Sequence, residues 1–186
     1  MRKLVMLNRV SLDGFFAGRD GDINWFIHDP EVDAAAHQMM KPDTVLFGRL
    51  TYQMFENYWP NVGKDPNASN EDRMIAHELD QMSKIVFSKS TLEDVTWINS
   101  TLIKDDAVKA VRDLKQAEGP DITIFGSGTI VQQLADADLI DEYIFIVTPV
   151  LIGRGKRLFS DATDLRLELV DSQSFSSGNV LLHYRA

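Results

Sequence analysis

Small, hydroxyl-bearing and basic side chains follow three short apolar runs of the sequence, at the point where each run ends. The runs ITIF, VLF and KIVF are followed by GSGTI (126–130), GRLT (48–51) and SKS (88–90). Glycine lets an anionic group approach backbone N–H groups, hydroxyls donate hydrogen bonds, and arginine or lysine neutralises phosphate charge. One such run end is common in any protein, whereas three together predict the binding of one extended polyphosphate ligand.

Each of the three groups alone has an ordinary structural explanation. A strand-to-helix turn uses glycine for its backbone freedom, and a basic residue after a turn is commonly just solvated. A dinucleotide fingerprint needs G-x-G-x-x-G, but Val131 occupies the place of its third glycine. The combination of groups therefore carries the prediction. The candidate residues are Gly48, Arg49, Thr51, Ser88, Lys89, Ser90, Gly126, Ser127, Gly128, Thr129 and Ile130.

A fourth run, VSLDGFFAG (10–18), places two phenylalanines in a loop flanked by glycine. An aromatic ring in such a loop either covers the flat face of a bound ring or anchors the loop to the core, and we expect one of Phe15 and Phe16 to do the second. The four histidines show no metal-ligand spacing, so no metal is expected. No Ser-His-acid order or nucleophile elbow supports hydrolase chemistry.

Short β-branched or aromatic runs alternate with helical patterns along the chain, and this order predicts the scaffold that positions those residues. Alternation followed by a hairpin at 176–178 predicts an α/β fold, with a mostly parallel sheet, helices on both faces and an antiparallel C-terminal edge. Ligands of such sheets collect at the carboxyl ends of the strands. The predicted strands span 3–10, 44–48, 84–88, 95–99, 121–125, 141–147, 165–175 and 179–185. The predicted helices span 30–40, 71–82, 105–118 and 128–137, and the turn-rich run 60–72 is predicted to be a surface loop.

Composition narrows the class of protein further. A chain of 186 residues with 44% hydrophobic residues fits one domain, 1–186, with a substantial core. Its formal net charge of −9 argues against a nucleic-acid partner, although an acidic protein can still hold an anionic ligand in a positive pocket. No run is long enough to span a membrane, and the chain has no cysteine, so we expect a cytoplasmic location.

The ordered set of runs resembles the dihydrofolate reductase-like superfamily, in particular the C-terminal reductase domain of the riboflavin-biosynthesis protein RibD. The resemblance is carried by VSLDGFFAG, TVLFGRLTY, KIVFSKS, VTWIN, ITIFGSGTIVQQL and DEYIFIVTPVLIGRGKRLF, within residues 3–159. It implies a three-layer fold with a mixed sheet of about eight strands. It also implies NADPH as the cofactor, lying across the carboxyl edge of that sheet.

The same resemblance implies a role for each group of candidate residues. The 48–51 group is expected to bind the pyrophosphate, and the 88–90 group the adenosine 2′-phosphate. The 126–130 group is expected to hold the pyrophosphate and the nicotinamide ribose. Phe16 and Ala17, in the loop after the first strand, are expected to close over the nicotinamide ring.

Catalytic residues also follow from the resemblance. Trp25 matches an aromatic residue near the reaction centre. Asp33 is the better match, ahead of Glu31, for the acidic residue that helps to deliver a proton, although both also suit the positive end of a helix. The arginine that grips a folate tail is expected just before the third strand, where residues 80–84 read DQMSK. Dihydrofolate is therefore in doubt as the substrate.

The expected activity is NADPH-dependent transfer of hydride to a pterin-like or pyrimidine-like small molecule, including the riboflavin-type 5-amino-6-(5-phosphoribosylamino)uracil reductase reaction or a related reduction. The alternatives are dihydrofolate reductase proper and a non-catalytic NADP-binding protein of the same fold. The run TPVLIGRGKRLF (148–159) favours the riboflavin branch, because its basic residues can neutralise a substrate phosphate. An exposed basic loop without that role is an equally weighted alternative. In that branch the region also supports a homodimer, which we expect here.

Overall fold

A computed structural model of the chain describes residues 1–89, 92–161 and 163–186. The strands of the described ranges are β1 (Leu4–Ser11), β2 (Phe15–Ala17), β3 (Pro42–Gly48), β4 (Ser83–Phe87), β5 (Ser100–Ile103), β6 (Asp121–Phe125), β7 (Glu142–Thr148), β8 (Lys156–Arg157), β9 (Glu168–Ser174) and β10 (Val180–Arg185). The helices are α1 (Pro30–Gln38), α2 (Arg49–Val62), α3 (Asn70–Gln81), α4 (Ala107–Gln116) and α5 (Gly128–Ala135).

Eight of these strands form one sheet in the order β5-β4-β3-β6-β1-β7-β10-β9, and β2 pairs with β8 in a separate two-stranded ribbon. The pairs from β5 across to β7 are parallel, whereas β10 is antiparallel to both β7 and β9. The carboxyl ends of β1, β3, β4, β5, β6 and β7 therefore share one edge of the sheet. This is the mixed, mostly parallel sheet with an antiparallel C-terminal edge that the sequence predicts.

Side chains alternate between the two faces of the sheet, and each face is buried under a different set of helices. Val5 of β1 packs with Val32 of α1, and Phe47 of β3 packs with Tyr52 of α2, on one face. Met6 packs on the other face, in the cluster that contains residues of α4 and α5. The result is three layers, with α1, α2 and α3 on one side of the sheet and α4 and α5 on the other.

The sequence did not predict α2, and it misplaced one strand. In α2 the aromatic residues Tyr52, Phe55 and Trp59 form the face that packs on the sheet, and this β-prone composition hides the helical spacing. The predicted strand 95–99 is wrong, because Asn99 adopts a left-handed conformation (φ 58°) and β5 begins only after it. The predicted loop 60–72 also begins too early, since α2 continues to Val62.

None of the helices in the described ranges combines the length and apolar character needed to cross a bilayer.

Candidate active site

The turns after β3 and β6 are joined by hydrogen bonds at the carboxyl edge of the sheet. The backbone N–H of Gly48 donates to the Ser127 hydroxyl at 2.6 Å, and that hydroxyl lies 3.0 Å from Oγ1 of Thr51. Ser127 adopts a left-handed conformation (φ 61°), which turns its side chain back toward α2. Gly126 also has a positive φ of 57°, and a Cβ there would approach Thr51 to 3.2 Å. Two of the three predicted groups therefore form one structural unit.

The helices that begin at these two turns lack the side-chain caps that the other helices have. Asp29, Ser69 and Asp106 accept hydrogen bonds from first-turn N–H groups of α1, α3 and α4. Gly48 and Ser127, which precede α2 and α5, make no such hydrogen bond. A helix N-terminus with free N–H groups attracts anions. The carboxyl edge thus presents two uncapped N-termini side by side.

Phe16 lies directly against the start of α5. A Cβ atom on Gly128 would come within 2.4 Å of Cζ of the Phe16 ring. A cleft of about 410 Å³ lies beside this contact, and Thr129, Gln132, Lys156 and Arg157 are among its lining residues. Ile130, in the first turn of α5, is buried in the core that Phe16 also contacts. The structure therefore brings Phe16 together with the 126–130 group.

The loop that carries Phe16 is fastened to the basic loop after β7. Asp13 accepts hydrogen bonds from the Ser11 hydroxyl at 2.7 Å and from the backbone N–H of Gly153 at 2.7 Å. The Ser11 hydroxyl and the backbone N–H groups of Gly153 and Ile152 keep the pKa of Asp13 below its ordinary value, against the opposing effect of burial. Ala17 pairs with Lys156 in the β2–β8 ribbon. The predicted lid residues Phe16 and Ala17 and the predicted basic loop therefore form one connected unit.

The third predicted group lies further along the same edge. Ser88 follows β4, is half-buried, and donates its backbone N–H to the carbonyl of Ile103 at 3.2 Å. Lys89 is exposed, while Ser90 lies outside the described residues. Arg49 donates to the side chain of Gln53 at 3.1 Å within α2. Of the two basic side chains at this edge, Lys89 thus lies at the surface and Arg49 is half-buried.

The predicted catalytic residues form a second group, on the α1 side of β1. Asp33 makes an ion pair with Arg9 of β1, and Nδ1 of His28 lies 3.0 Å from the same carboxylate. Arg9 also lies over the ring of Phe26, 5.7 Å from its centroid. Asp33 is therefore more than a favourable charge at a helix end, because two side chains from outside α1 hold it.

Trp25 lies in the segment before α1, and its ring makes an edge contact with Phe26 at 4.6 Å. Its indole Nε1 is buried and has no hydrogen-bond partner among the described residues. Burial without a partner is costly for an N–H group. The indole is thus a free donor on the side of the sheet where Asp33 lies.

Sequence reasoning missed Arg9, His28 and Asp13. Arg9 carries a detectable signal, because a charged residue inside the mostly apolar strand VMLNRV needs a partner when it is buried. Asp13 and His28 have only weak signals, since each lies in a loop whose contacts come from distant parts of the chain.

A family model for the RibD C-terminal domain matches residues 2–181. The chain belongs to the RibD C-terminal domain family. It is 30% identical over 184 residues to the uncharacterized protein YyaP of Bacillus subtilis (strain 168), covering 98% of this chain and 94% of that protein. It is also 32% identical over 186 residues to the uncharacterized protein YwjB of the same strain, covering 98% and 97%.

Solved structures support the fold of this RibD C-terminal domain family member. A putative riboflavin biosynthesis protein from Shewanella sp. PV-4 superposes with a TM-score of 0.72 at 22% identity, covering 98% of both chains. Dihydrofolate reductase from Enterococcus faecalis, complexed with NADP(H), gives 0.64 at 15% identity and covers 98% and 95%. A diaminohydroxyphosphoribosylaminopyrimidine deaminase/5-amino-6-(5-phosphoribosylamino)uracil reductase from Thermotoga maritima gives 0.66 at 16%, with 99% of this chain matching 56% of that one. The predicted dihydrofolate reductase-like fold is confirmed.

Proposed function

We propose that this protein is an NADPH-dependent reductase of a small pyrimidine-like or pterin-like substrate. The observation that carries the proposal is the pair of uncapped helix N-termini, α2 and α5, joined by the hydrogen bond between Gly48 and Ser127. Two such N-termini suit the two phosphates of a dinucleotide. Family membership and the reductase names of the Enterococcus and Thermotoga structures support an oxidoreductase.

The residues of the carboxyl edge fit the phosphates of NADPH. The N–H groups at the start of α2 and α5 would hold the pyrophosphate, with Arg49 and the hydroxyls of Thr51 and Ser127 beside them. Lys89 would pair with the adenosine 2′-phosphate, together with Ser88 and Ser90 of the predicted group. Phe16 and Ala17 would cover the nicotinamide ring. When bound, the nicotinamide supplies a hydride for a C=N or C=O bond of the substrate.

Proton delivery would fall to the group on the α1 side of the sheet. The side chain of His28 is 78% exposed, and its Nδ1 lies 3.0 Å from Oδ2 of Asp33. A proton from solvent would therefore pass through His28 to the Asp33 carboxylate, while Arg9 keeps that carboxylate oriented. Trp25 would contribute its indole N–H to the substrate side of this group.

The substrate is proposed to be a pyrimidine rather than a folate. Lys84, the cation within residues 80–84 where the tail site is expected, donates to the carbonyl oxygens of Leu79 at 2.5 Å and Met82 at 2.8 Å and is fully buried. Its amine therefore already hydrogen-bonds the carbonyl oxygens at the end of α3 and is not available to a folate tail. By contrast, Lys156 and Arg157 line the cleft beside Gly128, where they can meet a substrate phosphate.

Assembly and location are proposed on separate grounds. Strand β9 lies at the edge of the sheet, and all seven of its residues are exposed. An exposed edge strand is open to pairing with another chain, which supports a homodimer.

A cytoplasmic location is the setting in which a pyridine-nucleotide reductase would find its cofactor.

The activity is tested by following NADPH oxidation with 5-amino-6-(5-phosphoribosylamino)uracil, related pyrimidines and dihydropterins. Turnover of a pyrimidine, lost in Asp33→Asn with NADPH affinity unchanged, is the expected result. NADPH binding without turnover of any compound would favour a non-catalytic NADP-binding protein. A protein that does not bind NADPH at all would contradict the proposal.

A further inference from the structure

A line of exposed apolar side chains runs along the outer face of α2. Leu50, Met54 and Tyr58 follow each other at intervals of four residues, and they are 63%, 45% and 55% exposed. Residues four apart on a helix lie on one face and form a ridge that can pack against another helix. The face of α2 that packs on the sheet is a different one, with Tyr52 and Phe55. We call Leu50, Met54 and Tyr58 the α2 ridge.

The surface around the α2 ridge carries no charge. The charged residues of α2, all of which the structure describes, are Arg49 and Glu56. At 3.6 residues per turn they lie about 140° and about 160° around the helix from Met54. The exposed residues Asn57 and Asn61 lie within about 60° of Met54 instead. The outer face of α2 therefore consists of apolar and amide side chains.

Other helices of the protein expose charges. Lys109 and Asp113 form an ion pair on α4 with side chains that are 77% and 64% exposed, and the first turn of α3 contains Glu71 and Asp72. Charged residues make up 25% of the chain, so a helix face that leaves them out is a departure from its own composition. Contiguous apolar surface that is depleted of charge is typical of an interaction site.

The charge of the chain favours a second copy as the occupant of this face. Each copy has a formal net charge of −9, so two copies repel each other wherever acidic surfaces meet. An uncharged face lets them meet without that repulsion at the contact, whereas a basic partner would be drawn to the acidic surfaces. Asn57 and Asn61 suit a self-complementary contact, because an amide both donates and accepts hydrogen bonds.

We infer that the α2 ridge is a self-association surface, on which α2 of a second copy packs antiparallel about a two-fold axis at Met54. Ridges of residues four apart interdigitate at an angle of about 50° in magnitude. In this arrangement the two Met54 side chains meet on the axis, and Leu50 of each copy meets Tyr58 of the other. Leu50 directly follows Arg49, so Tyr58 of the second copy lies beside the N-terminus of α2 at the carboxyl edge.

This contact is separate from the proposed contact through β9. Helix α2 packs with residues of β3 and β4, toward the end of the sheet opposite to β9. One helix face covers less area than the roughly 800 Å² per partner of a standard interface, so we expect a weak association, with a Kd of about 10 to 100 µM. A protein that dimerises through β9 at lower concentration is therefore expected to form tetramers through α2 at higher concentration.

Sedimentation velocity at about 300 µM protein, above the expected Kd, tests the contact. The wild-type protein is expected to have twice the mass of Met54→Glu, because the substitution brings two like charges together on the axis. This ratio holds whether or not β9 also forms an interface. Met74→Glu is the control, because Met74 is 51% exposed on α3, and it should keep the wild-type mass. Equal masses of the wild-type protein and Met54→Glu would overturn the inference.

Introduced cysteines test the register of the two helices, because the chain has no cysteine of its own. Met54→Cys is expected to form a disulfide with its own copy at least about tenfold faster than Met74→Cys, since the contact raises the effective concentration of the thiols. Leu50→Cys and Tyr58→Cys should cross-link when mixed but not alone. The two copies of either residue lie on opposite sides of the axis, beyond the Cα separation of about 7 Å that a disulfide allows.

The cross-linking outcomes are read against the same arrangement. Formation of the Met54→Cys disulfide no faster than that of Met74→Cys would show random collision and overturn the inference. Cross-linking of Leu50→Cys alone as fast as its mixture with Tyr58→Cys would overturn the antiparallel two-fold arrangement. Both measurements are made without cofactor or substrate, so their result is independent of the proposed reductase activity.

Discussion

The ring of Phe16 lies on the backbone of Gly128, so close that a Cβ atom at residue 128 would come within 2.4 Å of Cζ. The absence of a side chain at residue 128 therefore has two consequences, one for packing and one for ligand access. It lets the loop after β1 pack on α5, and it leaves the N–H groups of α5 open to a ligand. A phosphate that approaches the start of α5 must do so beside the Phe16 ring.

A Gly128→Val substitution is expected to lower both Tm and NADPH affinity. The clash with Phe16 is of the overpacking kind and costs about 1 to 3 kcal/mol of unfolding free energy. Adding Phe16→Ala is expected to restore part of Tm but not the affinity, because the valine still blocks approach of the phosphates. Differential scanning fluorimetry and NADPH titration measure the two effects. Gly63→Ala is a control, because a Cβ added at residue 63 would lie 3.6 Å from Cβ of Ala76, an ordinary van der Waals contact. Full recovery of NADPH affinity in the double variant would place the phosphates elsewhere.

Most of the main sheet was predictable from the sequence, with β5 as the exception, whereas the contacts within the site were not. Runs such as DITIF in β6 are apolar, β-branched and bounded by turn residues, so their pattern alone identifies strands. The bond between Gly48 and Ser127 joins residues 79 positions apart, and no local pattern encodes it. Asp33 is a candidate through its family position, whereas its ion pair with Arg9 has no sequence signal, because the pairing depends on which face of β1 meets α1.

Lys89 is expected to determine the choice of NADPH over NADH. Its side chain is exposed directly after β4, where a 2′-phosphate is proposed to lie. A charge-assisted contact of this kind is worth roughly 1.5–3 kcal/mol, or about one to two decades in affinity. Lys89→Ala should therefore remove most of the preference and leave NADH binding nearly unchanged, as measured by fluorescence titration. Lys109→Ala, an exposed lysine on α4, is the control. Equal wild-type affinity for both cofactors would contradict this assignment.

Lys84 is expected to make stability depend on pH in the alkaline range. Burial lowers the pKa of Lys84 to about 8, while the carbonyl oxygens at the end of α3 and the Trp97 ring, 4.6 Å away, hold the cation. The unfolded chain keeps the ordinary, higher pKa, so it binds more protons than the folded chain between the two values. Unfolding free energy from this group should therefore rise with pH from about 8 upward, by at most about 3 kcal/mol.

Urea unfolding at pH 7 to 10 measures this effect as the difference between the wild-type protein and Lys84→Met. The difference should shift in favour of the wild-type protein as pH rises, because methionine does not titrate. Lys109→Met should give a flat difference, since the side chain of Lys109 is 77% exposed. A flat difference for Lys84→Met as well would show that the amine keeps its ordinary pKa in the folded protein.

The exposed strand β9 is expected to lie in a dimer interface. Leu169 and Val170 are 54% and 43% exposed on this edge strand. Leu169→Glu would place a charge in the proposed interface, so we expect it to shift a dimer toward the monomer, as measured by sedimentation velocity. Met74→Glu is the matched control, because Met74 is similarly exposed, at 51%, but lies on α3. A wild-type monomer at micromolar concentration, or a dimer unaffected by Leu169→Glu, would exclude β9 as the interface.

Dihydrofolate is expected to be a poor substrate, because residues 80–84, where the cation for its glutamate tail is expected, offer no free one. A site built for that tail would hold its carboxylate with a bidentate arginine. Residues 80–82 before β4 are Asp, Gln and Met, and β4 begins with Ser83. Lys84 is fully buried, and its amine donates to the carbonyl oxygens of Leu79 and Met82. Moving Lys84 to a ligand would leave those carbonyl groups of α3 unpaired, which opposes such a rearrangement.

Steady-state kinetics on dihydrofolate and on a tail-less dihydropterin should therefore give slow or undetectable turnover of the first. Where turnover is measurable, kcat/KM should change less than about threefold when the tail is removed, because a contact that is absent cannot be lost. A folate-specific site would instead lose at least tenfold, the cost of one charge-assisted hydrogen bond. Efficient reduction of dihydrofolate with a large penalty for the truncated compound would assign the protein to the folate branch. It would also require a tail-binding cation that Lys84, in its present position, does not provide.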